Sequence, residues 1–222
     1  MLYYIKRIFI YLMLDPRSRM FYDILLLKKY LKQKHKIEFG DYLEFGAYEG
    51  GTVIAFFKAL KKLNLTNYFH MFVFDSFVGL PDKTSPKDDH HLWQKGMFDS
   101  GGVDNFKKII FSAGIQPKKI TLIDGFYEDS LKKFNDQIKP GIINIDCDYY
   151  SSTKIVLEFL KDKLIEGTII YFDDLHSFYG NPHKGMPAAI NEFNNNNNIG
   201  LTKCPHFEGK YQNKIYWVWK NN

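Results

Sequence analysis

The chain has 222 residues, of which 45% are hydrophobic and 17% aromatic, so it holds enough apolar material for one full α/β core. Its net charge of only +5 gives no reason to expect a nucleic-acid partner. The two cysteines, Cys147 and Cys204, fit neither a metal-binding spacing nor a disulfide framework, which indicates a reducing compartment. We therefore predict a cytoplasmic protein.

Positive charge is concentrated in residues 1–40, where nine Lys or Arg face three Asp or Glu, a net charge of +6 that leaves −1 for the remainder. Such a segment can attract an anionic substrate or contact a membrane surface weakly, although a solvated helix face is the simpler explanation. The apolar run 8–14 is too short to cross a bilayer, and we expect neither a transmembrane span nor a signal peptide. A helix here can pack on the body, lid a cleft or build a homodimer through Leu2, Tyr3, Ile5, Phe9 and Leu12.

Further along, apolar residues at helical spacing predict a helix over residues 21–36, which Gly40-Asp41 ends. Strand-like and helix-like patterns then alternate. The predicted strands are residues 42–45, 71–74, 120–123, 142–145 and 168–172, and the predicted helices are residues 51–63, 103–113, 128–134 and 151–164. This alternation is typical of a doubly wound parallel sheet.

The last part of the chain has a different pattern. A predicted helix at residues 186–193 leads into five asparagines that end at Asn198, which we interpret as a polar loop or a frayed helix end. The segments 199–204 and 215–219 then predict an antiparallel hairpin at the sheet edge. The expected fold is a Rossmann-like, mostly parallel seven-stranded sheet with a C-terminal antiparallel hairpin. It forms a domain of residues 41–222, and residues 1–40 add N-terminal helices that act as a lid or an oligomerisation segment.

Paired acids follow two of the predicted strands. Asp146 and Asp148 come after the strand that ends at Ile145, and Asp173 and Asp174 come after the next strand. Parallel strands bring their carboxyl ends to one edge of a sheet, so all four acids should meet there. Carboxylates this close repel one another unless a hard cation such as Mg²⁺ or Ca²⁺ lies between them.

A glycine-rich loop follows the first strand of the body. Gly46 and Gly50 allow a tight turn there, and the next helix begins with free N–H groups, as in nucleotide or cofactor loops. The loop lacks the GxGxxG spacing, and Glu44 would repel a phosphate. A zwitterionic cofactor that has an amino group and no phosphate fits better, although a glycine after a strand is commonly only a turn.

Two further strand ends suggest adenosine binding. Asp75 can accept the hydroxyl groups of a ribose, although a turn cap explains it equally well. After the third strand, Asp124-Gly125-Phe126 places aromatic surface where an adenine ring would lie, and such aromatics are as often core. The long irregular segment 76–102 should border the cleft, and its His90-His91 pair fits a solvated loop better than a metal site, with substrate contact left open.

Five motifs occur together and in register: Tyr42-Leu43-Glu44-Phe45-Gly46, Phe74-Asp75-Ser76-Phe77-Val78-Gly79-Leu80-Pro81, residues 120–131, Ile145-Asp146-Cys147-Asp148-Tyr149 and Asp173-Asp174. Through them the chain resembles the macrocin O-methyltransferase family over residues 41–193. These are class I enzymes that depend on S-adenosylmethionine and Mg²⁺ and methylate sugar hydroxyls. The resemblance implies the same activity here, on a polysaccharide or a glycosylated metabolite.

The resemblance also implies residue roles. The metal ligands would be Asp146, Asp173 and Asp174. The cofactor would lie against Glu44, Phe45, Gly46, Tyr48, Gly50, Asp75, Ser76, Asp124, Gly125, Phe126 and Asp146. Methyl transfer needs a group that removes the acceptor's proton, and the candidates are Asp146, with Asp148 and His176 in reserve.

Two other functions fit part of the sequence. Asp146-Cys147-Asp148 could be the Asp-x-Asp motif of a metal-dependent nucleotide-sugar glycosyltransferase, although Glu44 and Asp75 would repel a diphosphate. Alternatively, the basic N-terminal segment could lead a non-catalytic module that binds a membrane surface or an anionic polymer. That alternative does not explain why acids recur at successive strand ends.

Overall fold

The structure is a computed structural model that describes residues 11–220, so Leu2, Tyr3, Ile5 and Phe9 of the predicted dimer contact lie outside the described residues. The helices are α1 Pro16–His35, α2 Gly51–Leu63, α3 Val103–Ser112, α4 Tyr127–Lys133, α5 Tyr150–Leu160 and α6 Gly185–Asn196. The strands are β1 Asp41–Phe45, β2 Met71–Asp75, β3 Ile120–Asp124, β4 Pro140–Ile145, β5 Ile169–Phe172, β6 Ile199–Lys203 and β7 Ile215–Lys220.

All seven strands form one sheet in the order β3-β2-β1-β4-β5-β7-β6. The first five run parallel, while β7 pairs antiparallel with both β5 and β6. The predicted mostly parallel sheet with a closing hairpin is therefore confirmed. The chain reverses its winding direction between β1 and β4, and ligands of doubly wound sheets bind beyond the carboxyl ends of the strands at such a point.

Apolar side chains fill both faces of the sheet, because the parallel strands are buried on both sides. On one face, α1, α2 and α3 contribute Phe21, Phe56 and Phe106 to a core around Tyr42. On the other face, α4, α5 and α6 pack around Phe45 and its neighbours. The result is a three-layer domain with helices on both sides of the sheet.

Helix α1 begins at Pro16, earlier than the predicted start at Phe21. The Asp15 side chain accepts a hydrogen bond from the Ser18 N–H at 3.0 Å, and Pro16 occupies the first turn, where its missing N–H costs nothing. Asp15-Pro16 therefore starts this helix. Phe21, Ile24 and Leu25 are fully buried, so α1 shares the core with α2. The division of the chain at residue 40 stays a prediction.

Two other helix ends differ from expectation. Helix α5 ends at Leu160 because residues 161–163 turn, and Leu164 is buried beyond the helix. Helix α6 continues to Asn196, so most of the asparagine run is helical. Asn194 bonds both the N–H and the carbonyl of Leu201, at 2.8 and 2.9 Å, and thereby ties the helix to β6.

Within residues 11–220, no helix is long and apolar enough to cross a membrane.

Candidate functional site

The carboxyl edge of the parallel strands opens into a cavity of about 660 Å³. The segments that follow β1, β2, β3, β4 and β5 all contribute to its wall. The residues of these segments that line the cavity are Gly46, Tyr48, Asp75, Ser76, Gly125, Phe126, Asp146, Asp148, Asp173 and Asp174. Most of the residues that the sequence predicts for a site are therefore together in space.

The glycine loop touches the acidic segment directly. Gly46 has a φ of +86°, and a Cβ at this position would lie 1.8 Å from the Asp146 carbonyl oxygen. Only glycine permits that approach without moving the backbone. Gly46 therefore brings the loop after β1 directly against the segment after β4, and both line one cavity.

Asp75 holds the glycine loop in place. Its Oδ2 accepts hydrogen bonds from the N–H groups of Ala47 at 2.5 Å and Tyr48 at 3.2 Å, and its Oδ1 accepts one from Phe77 at 2.7 Å. Burial raises the pKa of Asp75, and these three N–H groups oppose the rise. The turn-capping role that the sequence left open is therefore present. Each carboxylate oxygen can accept more than one hydrogen bond, so Oδ1 can still accept one from a ligand.

The four acids after β4 and β5 lie in different local surroundings. Asp173 accepts a hydrogen bond from the Tyr171 hydroxyl at 2.7 Å and lies 3.7 Å from the Lys214 Nζ. Asp174 accepts bonds from the Asp148 N–H and the Ser177 hydroxyl, both at 3.1 Å. The carboxylate of Asp146 accepts no hydrogen bond from the described residues.

Asp148 has an unusual backbone conformation. Its φ is +59°, and the Tyr149 N–H reaches back to the Cys147 carbonyl at 2.6 Å to close a three-residue turn around it. Such turns are rare for residues other than glycine and cost free energy. The tight turn fixes the point at which this carboxylate enters the cavity wall.

Burial, followed by repulsion from neighbouring carboxylates, raises the pKa of three of these acids. Burial and the nearby carboxylates of Asp174 and Asp173 raise the pKa of Asp148 to about 8. Burial, followed by Asp173, raises the pKa of Asp174 to about 6, and the pKa of Asp146 is also raised well above its ordinary value. A cation would relieve this repulsion.

The donor types suit a hard divalent cation, since carboxylate oxygens are the ligands that Mg²⁺ and Ca²⁺ prefer. Within residues 11–220, however, no three His, Cys, Asp or Glu side chains are positioned to hold a metal ion as they stand. Asp173 and Asp174 use oxygens for protein hydrogen bonds, as described above. Binding of a cation by Asp146, Asp173 and Asp174 would require these side chains to turn towards one another, and this metal site stays a prediction.

The aromatic part of the predicted adenosine site is exposed to the cavity. Phe126 is 38% exposed and lies on the wall beside Gly125. Tyr127 also lines the cavity, and its hydroxyl donates to the Phe74 carbonyl at 3.4 Å. Phe126 can therefore offer a free ring face to a planar ligand, as the sequence suggests.

Several predicted site residues do not reach the wall. Glu44 and Phe45 are fully buried in β1, and the Phe45 ring stacks on Phe74 in the core at 4.6 Å. Asp124 is exposed outside the cavity, as is His176, whose Nε2 bonds the Gln212 carbonyl at 2.8 Å. The turns after Asp174 carry His176 away towards the C-terminal hairpin. The structure therefore does not support His176 as the proton acceptor.

Gly50 does not line the cavity either. Its role is structural, at the start of α2. It caps α2 with a φ of +76°, and a Cβ there would meet the Ile110 side chain at 2.9 Å. The α2 N-terminus begins at the next residue, Gly51, which does line the cavity.

Sequence reasoning missed several wall residues. Arg17 comes from α1, and Leu80, Trp93 and Ser177 come from irregular segments. His90, expected in a solvated loop, is only 9% exposed and its Nε2 bonds the Ser177 carbonyl at 3.0 Å. The mixture of Trp, His, Gly and Pro in segment 76–102 was the only available signal that part of this loop folds inward.

Comparison with known proteins bears on the same residues. The family model for Macrocin-O-methyltransferase (TylF) matches residues 29–204, well over half of the chain. No curated protein sequence matches this chain. The matched part includes all the predicted strand-end residues of the cavity wall.

Solved structures share the fold. The O-methyltransferase NovP aligns with a TM-score of 0.66 at 18% identity, over 90% of this chain and 80% of that chain. The calicheamicin methyltransferase CalS11 aligns with a TM-score of 0.64 at 22% identity, over 91% of this chain and 79% of that chain. The family match covers both the sheet and the strand-end acids, and we conclude that the chain belongs to the macrocin O-methyltransferase family, whose enzymes are S-adenosylmethionine-dependent sugar O-methyltransferases.

Proposed function

We propose that this enzyme methylates a hydroxyl group of a sugar unit and that a divalent cation, Mg²⁺ in the first instance, supports the reaction. The observation that carries the proposal is the meeting of four carboxylates with the glycine loop at one cavity. Repulsion among these acids favours a cation between them, and two neighbouring sugar hydroxyls are a natural partner for such a cation. One relative, CalS11, is itself described as a TDP-rhamnose 3'-O-methyltransferase.

The cavity divides into two halves in this proposal. The glycine loop, Asp75 and Phe126 would hold the cofactor, with Asp75 near the ribose and Phe126 on the adenine. The acids after β4 and β5 would face the acceptor. Trp93 belongs to the same wall and can offer a ring for contact with the apolar face of a sugar.

The residues of the acid half would orient the acceptor and take its proton. Methyl transfer is an in-line displacement, so the acceptor oxygen must be held near the methyl group that the cofactor's sulfonium supplies. A divalent cation held by Asp146, Asp173 and Asp174 would lower the pKa of the acceptor hydroxyl. Asp146 and Asp148 are the candidates for proton removal, because both carboxylates belong to the wall on which that oxygen must lie.

The wider setting rests on the sequence. We propose an acceptor on a polysaccharide or a glycosylated metabolite and a cytoplasmic location, in keeping with two buried free cysteines. Homodimerisation through the N-terminal segment and weak contact of its basic residues with a membrane surface belong to the same proposal.

Thermal unfolding with S-adenosylhomocysteine or a nucleotide sugar, each with and without Mg²⁺, tests the proposal. S-adenosylhomocysteine at about a hundred times its dissociation constant should stabilise the protein by roughly 2.7 kcal/mol. Methyl transfer to a sugar acceptor should stop with EDTA and return with excess Mg²⁺. Stabilisation by the nucleotide sugar alone would instead favour the glycosyltransferase, and transfer that survives EDTA would remove the cation from the mechanism.

A further inference from the structure

Part of the long segment after β2 contacts both acid-bearing parts of the chain. This part, residues 84–93, is called the bridging segment below, and it contains a single 3₁₀ turn, Pro86–Asp88. The acids themselves follow β4 and β5, so the bridging segment reaches them from a different part of the sheet. Two of its side chains, Asp88 and His90, make the polar contacts.

Asp88 binds the start of α5. It is fully buried, and its Oδ1 accepts a hydrogen bond from the Ser151 N–H at 2.8 Å. Its Oδ2 accepts bonds from the N–H groups of the first two residues of the bridging segment, at 3.1 and 2.9 Å. The N-cap residue of α5 makes no side-chain bond to the helix, so Asp88 caps α5 from a distant part of the chain. Ser151 lies three residues after Asp148, and the cap therefore holds the chain just beyond that acid.

His90 binds the segment that follows β5. Its Nε2 lies 3.0 Å from the Ser177 carbonyl, and because a carbonyl only accepts, Nε2 carries the proton. Its Nδ1 accepts the Leu92 N–H at 3.4 Å. Burial lowers the pKa of His90, which favours the neutral ring that these two partners require. The Ser177 hydroxyl in turn donates to Asp174 at 3.1 Å, so His90 is one residue removed from that acid.

These contacts close a ring of hydrogen bonds. The His90 N–H donates to the Asp88 carbonyl at 2.7 Å, and the Asp148 N–H donates to Asp174 at 3.1 Å. Any change in the separation of the two acid-bearing segments therefore breaks at least one bond of the ring. The ring comprises, in order, Asp88, His90, Ser177, Asp174, Asp148 and Ser151.

Aromatic packing supports the same arrangement. Trp93, at the end of the bridging segment, packs edge-on against Tyr149 and Phe178, with ring centroids 6.0 and 5.6 Å apart. Tyr149 directly follows Asp148, and Phe178 directly follows Ser177. The bridging segment thus contacts each acid-bearing segment twice, once through a hydrogen bond and once through an aromatic ring.

We propose that Asp88 and His90 are positioning residues, which hold the acids after β4 and the acids after β5 at the separation that methyl transfer requires. The inference rests on the proposed function, in which these acids face the acceptor. None of the bonds of the ring involves the glycine loop or Asp75. Cofactor affinity should therefore not depend on them.

Asp88→Asn tests one end of the ring. It replaces one acceptor oxygen by a donor, so at least one of the three N–H groups loses its partner. With S-adenosylmethionine and TDP-rhamnose, kcat per folded molecule should fall by about tenfold to a hundredfold, because displacement of a reacting group by about 1 Å has effects of this order. Circular dichroism gives the folded fraction. The affinity for S-adenosylhomocysteine, measured by calorimetry, should stay within about twofold.

Ser85→Ala is the matched control. The Ser85 hydroxyl accepts the Lys87 N–H at 3.1 Å within the same 3₁₀ turn. Its loss should weaken the turn without breaking the ring, so kcat should match the wild type.

His90→Phe tests the other end of the ring. It keeps an aromatic ring beside Trp93 but removes the donor to Ser177, and kcat should again fall while cofactor affinity stays. His90→Gln, whose amide can donate from near the Nε2 position, should recover part of the loss. His91→Phe changes the exposed neighbour and should leave kcat unchanged.

Amide hydrogen exchange measures the positioning without any acceptor. Peptides that cover residues 146–152 should exchange faster in Asp88→Asn, and peptides that cover residues 174–178 should exchange faster in His90→Phe. Neither set should change in the two controls.

Several results would overturn the inference. One is a loss of activity that only follows the unfolded fraction, and another is unaltered exchange in both variants. A raised acceptor KM at unchanged kcat in His90→Phe would make His90 an acceptor-binding residue instead. A wild type that methylates no sugar would contradict the proposed function alone, and the exchange comparison would then decide whether the bridging segment holds the acids.

Discussion

The acids at the ends of β2 and β4 differ in their surroundings, although both strands run to the same edge of the sheet. Asp75, at the end of β2, accepts three backbone hydrogen bonds. Asp146, just after β4, accepts none from the described residues, while Asp174 and Asp173 repel it. A buried carboxylate that is satisfied by backbone holds a loop in place. One that lies beside other carboxylates and accepts no such bond keeps its oxygens available to a ligand.

The largest expected effect comes from the acid half. Asp173→Asn removes one charge of the proposed cation site and keeps the shape of the side chain. Turnover should fall by on the order of a thousandfold, because one preorganised charge at the reacting centre is lost. Cofactor affinity should stay within about twofold, since the proposed cation contacts the acceptor. Steady-state kinetics and calorimetry measure the two quantities.

Asp124→Asn is the control for that variant. Asp124 also ends a parallel strand, but it is exposed and does not belong to the cavity wall. Its turnover should match the wild type. Equal losses of turnover and cofactor affinity in Asp173→Asn would contradict the division of the cavity into two halves.

A second prediction concerns the contact that joins the halves. Gly46→Ala should lower the free energy of unfolding by about 3 kcal/mol or more, because the new Cβ would combine positive-φ strain with a clash. Denaturant unfolding measures this loss. Gly96→Ala is the matched control, because Gly96 has a φ of +78° and no atom within 4 Å of an added Cβ. It should cost only the strain, about 1 kcal/mol, and similar losses in the two variants would show that the loop and the acids are not in tight contact.

The sequence predicts the convergence of strand-end acids well, because parallel strands leave no choice about which ends meet. It predicts the side chains that come from elsewhere poorly. Arg17 reaches the cavity only because α1 packs on α2, a long-range contact with no local signature. Asp15-Pro16 caps and starts α1, before the start at Phe21 that the apolar spacing predicts. His176 follows two predicted site acids and still points away, because a turn decides its direction.

A third, smaller effect tests the holding role of Asp75. Asp75→Asn replaces one acceptor oxygen by a donor, so at least one of the three backbone N–H groups loses its partner. The free energy of unfolding should fall by about 2 kcal/mol, as measured by urea denaturation. Asp99→Asn is the control, because Asp99 is exposed and accepts a single N–H, from Gly101 at 2.7 Å. A weaker cofactor affinity without any loss of stability would show that Asp75 acts only on the ligand.

The smallest effect concerns Lys28, a buried lysine that does not line the cavity. Lys28 is fully buried, and its Nζ donates to the Gly167 carbonyl at 3.3 Å. Burial lowers its pKa from 10.5 to about 8. Between these two values the unfolded chain binds a proton that the folded chain has released, so this lysine makes stability rise as the pH increases through that range. Below pH 8 the folded protein keeps the buried charge, and the burial of this charge lowers the free energy of unfolding.

Lys28→Met should therefore raise the free energy of unfolding at pH 7 by about 1 kcal/mol and remove this contribution to the rise between pH 8 and 10. Urea denaturation at a series of pH values measures both. Lys29→Met is the control, since its side chain is exposed in the same helix and should leave both unchanged. A less stable Lys28→Met protein at pH 7 would mean that the bond to Gly167 outweighs the burial of the charge. Lys28 would then be a buried charge that its backbone partner satisfies, as the backbone N–H groups satisfy Asp75, and would differ in this from Asp146.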